Sequence, residues 1–250
     1  MDPILVTGGT GTLGRALVEL LLAQGRPVRV LSRSAHTPGE HGWAVGDLVT
    51  GRGVDGAVAG VGAVVHCATT NGRRDLQATQ RLVAAAGRAG VAHLVYVSIV
   101  GVDRVPLGYY RTKLAAERVV EESGLGWTVL RATQFHDLLL RILGTLSRPP
   151  VLLLPAGLRF QPVDVRDVAG RLAELLAAGP SGRAADFGGP EVRAFDDLAR
   201  SFLAARGLRR PVVRVPLAGA TYRAYRAGGH LVPDRAAGRI TFEQALAGRA

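Results

Sequence analysis

Three side chains in the middle of the chain have types and spacings that suit acid–base chemistry: Ser98, Tyr109 and Lys113. Tyr109 and Lys113 stand four residues apart, so on a helix they share one face. A phenol ordinarily ionises near pH 10 and serves poorly as an acid or base at neutral pH. An ammonium one turn away favours the phenolate and draws that pKa toward the working range. Composition adds weight to the lysine. Of 31 basic residues, 30 are arginine and Lys113 is the single lysine. Its slim stem can reach sugar hydroxyls where the broad arginine fork fits poorly. An ordinary surface lysine at an exposed helix start is the bland alternative. Tyr110 competes with Tyr109, but it lies three residues from Lys113.

A second constellation opens the chain. Ile4 to Thr7 reads as a short buried strand, and glycines at 8, 9, 11 and 14 turn it into a helix from about Thr12 to Ala23. Such a turn aims backbone N–H groups and a positive helix end at one point, which suits a pyrophosphate. Gly9, Gly11 and Gly14 satisfy G-x-G-x-x-G, and Thr7-Gly8 with Gly11 and Gly14 satisfies T-G-x-x-G-x-x-G. The glycines supply the tight turn, the close approach to phosphate and the packing of helix on strand.

The next strand, Pro27 to Leu31, ends in Ser32-Arg33-Ser34, with no acid before Glu40. An NAD site places an acidic residue there for the ribose 2′-hydroxyl. A guanidinium beside a hydroxyl suits a 2′-phosphate instead, which favours NADP(H). Trp43 to Asp47 reads as a third strand. There Asp47 either accepts from an adenine amino group or forms a turn, and the sequence leaves both open. A fourth strand, Val61 to His66, runs into Cys67-Ala68-Thr69-Thr70, whose small residues let backbone approach a ribose. Cys67 also reads as a buried filler, and His66 as structural rather than catalytic.

These residues need a scaffold. Arg73 to Arg88 reads as a helix, His93 to Ser98 as a fifth strand, Tyr109 to about Ser123 as a helix and Trp127 to Arg131 as a sixth strand. Alternating strands and helices with short connections predict an α/β fold, a Rossmann-type doubly wound parallel sheet covered on both faces. Ligands bind such sheets outside the strands' carboxyl ends, where Ser98 falls. Beyond Arg131 the pattern loosens. Helices are expected over Phe135 to Leu143, up to Ala178 with Asp164 as N-cap, over Ala194 to Ala205, and over Thr241 to Leu246. Short strands are expected at Val151 to Leu154 and Val212 to Val215. The expected division is a dinucleotide-binding core, 1–150, and a C-terminal substrate lobe, 151–250, on the same sheet edge. Phe135, Leu138, Leu139, Phe160, Tyr222 and Tyr225 either line a partly apolar substrate pocket or belong to a core.

The chain has 250 residues, 48% of them hydrophobic, enough for one large core with a small lobe. One cysteine excludes an internal disulfide and fits a reducing cytoplasm. The first strand begins too early for a signal peptide. The apolar stretch Leu138 to Leu154 is broken by Arg141, Arg148 and two prolines, so no membrane span is expected. The net charge of +11 comes from scattered arginines without aromatic interleaving, which argues against nucleic acid. No metal-ligand cluster stands out, and the oligomeric state stays open.

Taken together, T-G-G-T-G-T-L-G (7–14), Arg33, G-D-L (46–48), V-S (97–98), Y-Y-R-T-K (109–113), S-G-L-G-W-T-V-L-R-A-T-Q-F (123–135) and Q-P-V-D-V-R-D-V-A (161–169) resemble an atypical short-chain dehydrogenase/reductase of the NmrA-like, NAD(P)H-binding branch. The likeness covers the chain to about residue 170. It implies that Thr7, Gly8, Gly9, Gly11, Thr12, Leu13, Gly14, Ser32, Arg33, Asp47, Leu48, Cys67, Ala68 and Lys113 contact the cofactor. Ala132 to Phe135, Thr133 among them, would border the nicotinamide. It implies Tyr109 as proton donor, Lys113 as its pKa partner and ribose contact, and Ser98 as the hydroxyl that orients a carbonyl. Two features depart from the family: His66-Cys67-Ala68-Thr69 replaces its Asn-Asn-Ala-Gly, and Asn71 is the only asparagine. The expected function is an NADP(H)-dependent oxidoreductase that reduces a carbonyl or quinone-like small molecule. A non-catalytic NADP(H)-sensing regulator is the alternative, followed by a nucleotide-sugar epimerase or dehydratase.

Overall fold

The computed structural model describes residues 2–37, 39–70 and 72–248; Asn71 lies outside them. Strands and helices alternate through β1 (Ile4–Thr7), α1 (Thr12–Ala23), β2 (Val28–Ser32), β3 (Gly42–Val45), α2 (Val54–Val58), β4 (Ala63–His66), α3 (Arg74–Arg88), β5 (His93–Ile99), α4 (Gly108–Glu121) and β6 (Trp127–Ala132). Then follow α5 (His136–Leu146), β7 (Leu152–Pro155), β8 (Arg159–Phe160), α6 (Val165–Ala178), β9 (Gly182–Arg183), β10 (Arg193–Ala194), α7 (Phe195–Ala205), β11 (Val212–Val215), α8 (Ala220–Arg226) and α9 (Phe242–Ala247). The periodicity places most of these within two residues. It misses α2, β8, β9, β10 and α8. Strands of two residues carry no alternation, and α8 buries no residue, so it shows no apolar stripe.

Two compact units divide the chain, one of Met1–Ser98, Gly108–Arg131 and Val168–Ala185, the other of Ile99–Leu107, Ala132–Asp167 and Asp186–Ala250. The first is built on a seven-stranded sheet of order β3-β2-β1-β4-β5-β6-β9. The chain winds outward from β1 to β3, then returns to β4 on the other side of β1. This is the doubly wound order, with its switch point between β1 and β4. The strands read as continuous apolar runs because both faces are covered. Leu5, Val64 and Leu94 are fully buried among Leu82, Ala85 and Ala86 of α3 and Ala116 and Val120 of α4. Helix α1 buries Leu13, Leu17, Val18 and Leu21, one helical stripe.

The second unit has its own core. Leu139 and Leu143 of α5 meet Leu152 and Leu154 of β7, Phe160, and Leu198 and Phe202 of α7. Strand β7 runs parallel to β11, and β8 antiparallel to β10. Asp164 accepts from the Arg166 N–H at 2.9 Å, as an N-cap of α6 should. Thr241 and Gln244 form a capping box on α9. Leu139 and Phe160, open above between pocket and core, are core residues. Tyr222 donates to the Ala156 carbonyl at 2.5 Å. Among the described residues no helix is long and apolar enough to cross a membrane.

Candidate cofactor and active site

Register brings the sequence-derived residues of the first unit to one edge. Ala44, Leu31, Thr7, His66 and Tyr96 lie in one row across β3, β2, β1, β4 and β5. Ser32, Gly8, Cys67 and Ser98 therefore all fall just past that row, at the carboxyl ends.

The glycine loop fits a nucleotide phosphate. Gly8 has φ +69°, and a Cβ there would come within 2.7 Å of Ala68 backbone. A Cβ on Gly14 would stand 2.1 Å from the Gly8 carbonyl oxygen, so only glycine lets α1 close onto the loop. Gly11 precedes α1 and gives it no side-chain cap, so the first-turn N–H groups keep no side-chain acceptor from that position. Thr12 and Leu13 open the helix, with Leu13 buried beneath it. The first sequence-derived site is thus a cradle whose backbone donors suit a pyrophosphate.

At the end of β2, Ser32 Oγ lies 2.8 Å from His36 Nε2, and His36 stacks on Trp43 at 3.9 Å between ring centroids. Arg33 is exposed and makes no ion pair among the described residues. A free guanidinium beside a hydroxyl is the donor set a 2′-phosphate asks for. Asp47 adopts the turn geometry: its Oδ1 accepts from the Val49 N–H at 2.8 Å. Leu48 is buried in the core.

Past β4, His66 is fixed in a buried network. Thr79 donates to the Asp75 carbonyl at 2.9 Å, so its oxygen accepts from His66 Nε2 at 3.1 Å. The other ring nitrogen then accepts from Thr7 at 2.7 Å. Burial, aided by the Lys113 charge, lowers the His66 pKa to about 3, so the imidazole stays neutral. Cys67 is half-buried, and the desolvation of its thiol pushes the pKa up to about 12 against the pull of the Lys113 charge. At neutral pH the thiol is therefore protonated.

The tyrosine and lysine that spacing pairs take different partners. Lys113 is buried, donates from Nζ to the Val97 carbonyl at 2.7 Å, and lies 4.1 Å from the centre of the Tyr96 ring. Burial lowers its pKa to about 8, against the opposing pull of Asp75, Glu117 and Cys67. The surface-lysine alternative falls away. Tyr109 is partly exposed, and its hydroxyl lies 2.9 Å from Thr69 Oγ1. Burial raises its pKa, as do the Asp75 charge and Tyr110. The acidified phenol expected from the spacing is therefore corrected. Tyr110 is buried and turned into the core face of α4. Ser98 is buried with its hydroxyl unpartnered among the described residues, a donor held ready at the strand end.

Sequence reasoning missed Thr69 and Asp75. Asp75 is buried and accepts from Thr69 Oγ1 at 2.6 Å, Thr70 N–H at 2.5 Å and Thr70 Oγ1 at 2.6 Å. In the sequence it is only an acid at a helix start, and no spacing ties it to a tyrosine more than thirty residues on. Thr133 belongs to the second unit, where it is buried and its hydroxyl accepts from the Gly189 N–H at 3.2 Å. No cluster of metal-binding side chains occurs among the described residues.

Comparison with known proteins decides the family. Residues 8–141 match the family model described as NAD(P)H-binding. The chain belongs to the NAD(P)H-binding family. Its branch is the atypical, NmrA-like one of the short-chain dehydrogenases/reductases. The chain is 34% identical over 197 residues to a (4-alkanoyl-5-oxo-2,5-dihydrofuran-3-yl)methyl phosphate reductase of Streptomyces griseus, covering 75% of this chain and 68% of that one. It is 30% identical over 217 residues to an NAD(P)H azoreductase of Xenophilus azovorans, covering 84% and 75%. Among solved structures it resembles an NADPH-dependent quinone oxidoreductase of Escherichia coli complexed with NADPH, with TM-score 0.83, 18% identity and coverage of 98% and 99%. A nucleoside-diphosphate-sugar epimerase of Staphylococcus aureus gives TM-score 0.79 at 20% identity, with the same coverage. At these identities the structural likeness shows the NAD(P)H-binding family's Rossmann fold.

Proposed function

We propose that this chain is an NADP(H)-dependent oxidoreductase that reduces a carbonyl or quinone-like small molecule, with Tyr109 as proton donor. The observation that carries the reading is the Tyr109 hydroxyl, partly exposed and held in place by Thr69. The 34% and 30% identical relatives named as reductases support a redox role. Thr7 to Gly14 would hold the pyrophosphate, Ser32 and Arg33 the 2′-phosphate, Asp47 and Leu48 the adenine edge, and Cys67 and Ala68 a ribose. Thr133 would border the nicotinamide, and residues 151–250 would form the substrate lobe. When bound, the cofactor supplies hydride chemistry. Tyr109 delivers the accompanying proton to the substrate oxygen, and Ser98 orients that oxygen with its unpartnered hydroxyl. Lys113, held by Val97, would reach the ribose by exchanging that carbonyl for a sugar hydroxyl.

Two observations favour the non-catalytic sensor as second reading: the Lys113 ammonium is engaged by a carbonyl, and the Tyr109 pKa is raised. NADPH oxidation with a panel of ketones and quinones separates the two. Turnover is expected, falling roughly 10²–10⁴-fold in Tyr109→Phe with NADPH affinity retained. Full turnover in that variant removes Tyr109 as donor. Tight NADPH binding with no turnover across the panel supports the sensor.

A further inference from the structure

Asp75 is 4% exposed, and its carboxylate can only accept hydrogen bonds. Its Oδ2 takes the single hydroxyl proton of Thr69 at 2.6 Å, while Oδ1 takes two donors from Thr70. With that proton spent, Thr69 can only accept along its 2.9 Å contact with Tyr109. The order of donation is thereby fixed: Tyr109 to Thr69, then Thr69 to Asp75.

We infer that Thr69, anchored by Asp75, is a positioning residue for Tyr109, offering the phenol a lone pair and no proton. The inference rests on Tyr109 as proton donor and assigns a residue that acts through it. The arrangement suits the neutral phenol. A phenolate would meet a lone pair of Thr69, with the Asp75 charge behind it. The other ionisable groups that face the phenol are Tyr96 of β5 and Tyr110 of its own helix. Lys113, one turn along α4, spends its ammonium on Val97. Asp75 and Thr69 thus hold the proton on Tyr109 until a substrate oxygen draws it away. Thr69 stands on the segment that follows β4, where the family's asparagine signature is missing, and Asp75 in the first turn of α3.

The test reads Tyr109 itself. The chain has five tyrosines, and 13C-labelling of their ring carbons with Tyr109→Phe as the assigning variant gives its ionisation by NMR. In Thr69→Val, water replaces an accept-only oxygen and can donate to the phenolate. In Asp75→Asn, the charge goes and the Thr69 proton is released. Both are expected to lower the Tyr109 pKa by about one unit, and Thr69→Ser to leave it in place. The remaining tyrosine signals report an intact fold. Thr69→Val should also cut kcat about tenfold with NADPH affinity unchanged, shifting the alkaline limb of the rate profile to lower pH. An unmoved Tyr109 ionisation in both variants overturns the inference, as does a serine variant shifted as far as the valine one. Full turnover in Tyr109→Phe would remove the donor reading instead. An inactive Tyr109→Phe with unmoved ionisation in Thr69→Val would remove only the positioning role.

Discussion

The single lysine of the chain, Lys113, donates to the Val97 carbonyl at 2.7 Å from a buried position one helical turn from Tyr109. This contact supplies a physical reason for lysine where arginine is the rule. A buried slot offering one carbonyl and one ring face suits a compact ammonium that can shed its charge. It would leave most donors of a permanently charged guanidinium unpaired.

The slot has a measurable consequence for stability. Burial lowers the Lys113 pKa from the ordinary 10.5 to about 8. Between those values the folded chain holds fewer protons at this site than the unfolded chain, so stability rises with pH. Below pH 8 both states are charged and the contribution is flat. The rise is at most about 3 kcal/mol. Urea midpoints of wild type and Lys113→Met, followed from pH 7 to pH 10, should therefore separate in favour of wild type as pH climbs past 8. A constant difference would mean that the folded chain keeps the lysine charged throughout.

A second buried charge has the opposite design. Glu117 is fully buried and receives Nε and Nη2 of Arg131 at 2.9 and 2.7 Å, with Arg183 at 3.3 Å from the same carboxylate. Removing Arg131 leaves the interior carboxylate to the half-exposed Arg183. Arg131→Met is expected to cost about 3–5 kcal/mol in urea unfolding, while Glu117→Leu with Arg131→Met together should recover most of it. Equal losses in the single and double variants would show that packing around Arg131, rather than the buried carboxylate, sets the cost.

How far the sequence reaches follows from how local each signal is. The glycine loop was legible because Gly8 and Gly14 answer to atoms within the loop and its neighbouring strand end. The strands were legible because covered sheets read as apolar runs. Lys113 announced itself by composition, yet its partner, Val97, lies on a strand that only the fold brings near. The Thr69–Tyr109 contact joins segments forty residues apart, and no residue type at either end marks it. Asp47 shows the limit in another way: a turn and a ligand contact ask for the same residue. Leu139 and Phe160 do too, since a pocket lining and a core share one vocabulary of side chains.

Cofactor choice turns on Arg33, and its consequence is specific. The guanidinium is exposed without an ion pair among the described residues, beside Ser32, whose hydroxyl is engaged by His36 at 2.8 Å. Charge-assisted hydrogen bonds to a 2′-phosphate contribute about 1.5–3 kcal/mol, or roughly 10- to 100-fold in affinity. Arg33→Ala should therefore weaken NADPH binding by about that factor in a fluorescence titration, and NADH binding by no more than about threefold, since NADH carries no charge at that position. Added salt should narrow the NADPH advantage of wild type, because an exposed pair is screened. Ser32→Ala should have a smaller effect, as its oxygen can still be replaced by water. Equal loss of both cofactors in Arg33→Ala would move the arginine from the 2′-phosphate to a contact that both dinucleotides share, such as the adenine face, and the preference for NADP(H) would lose its support.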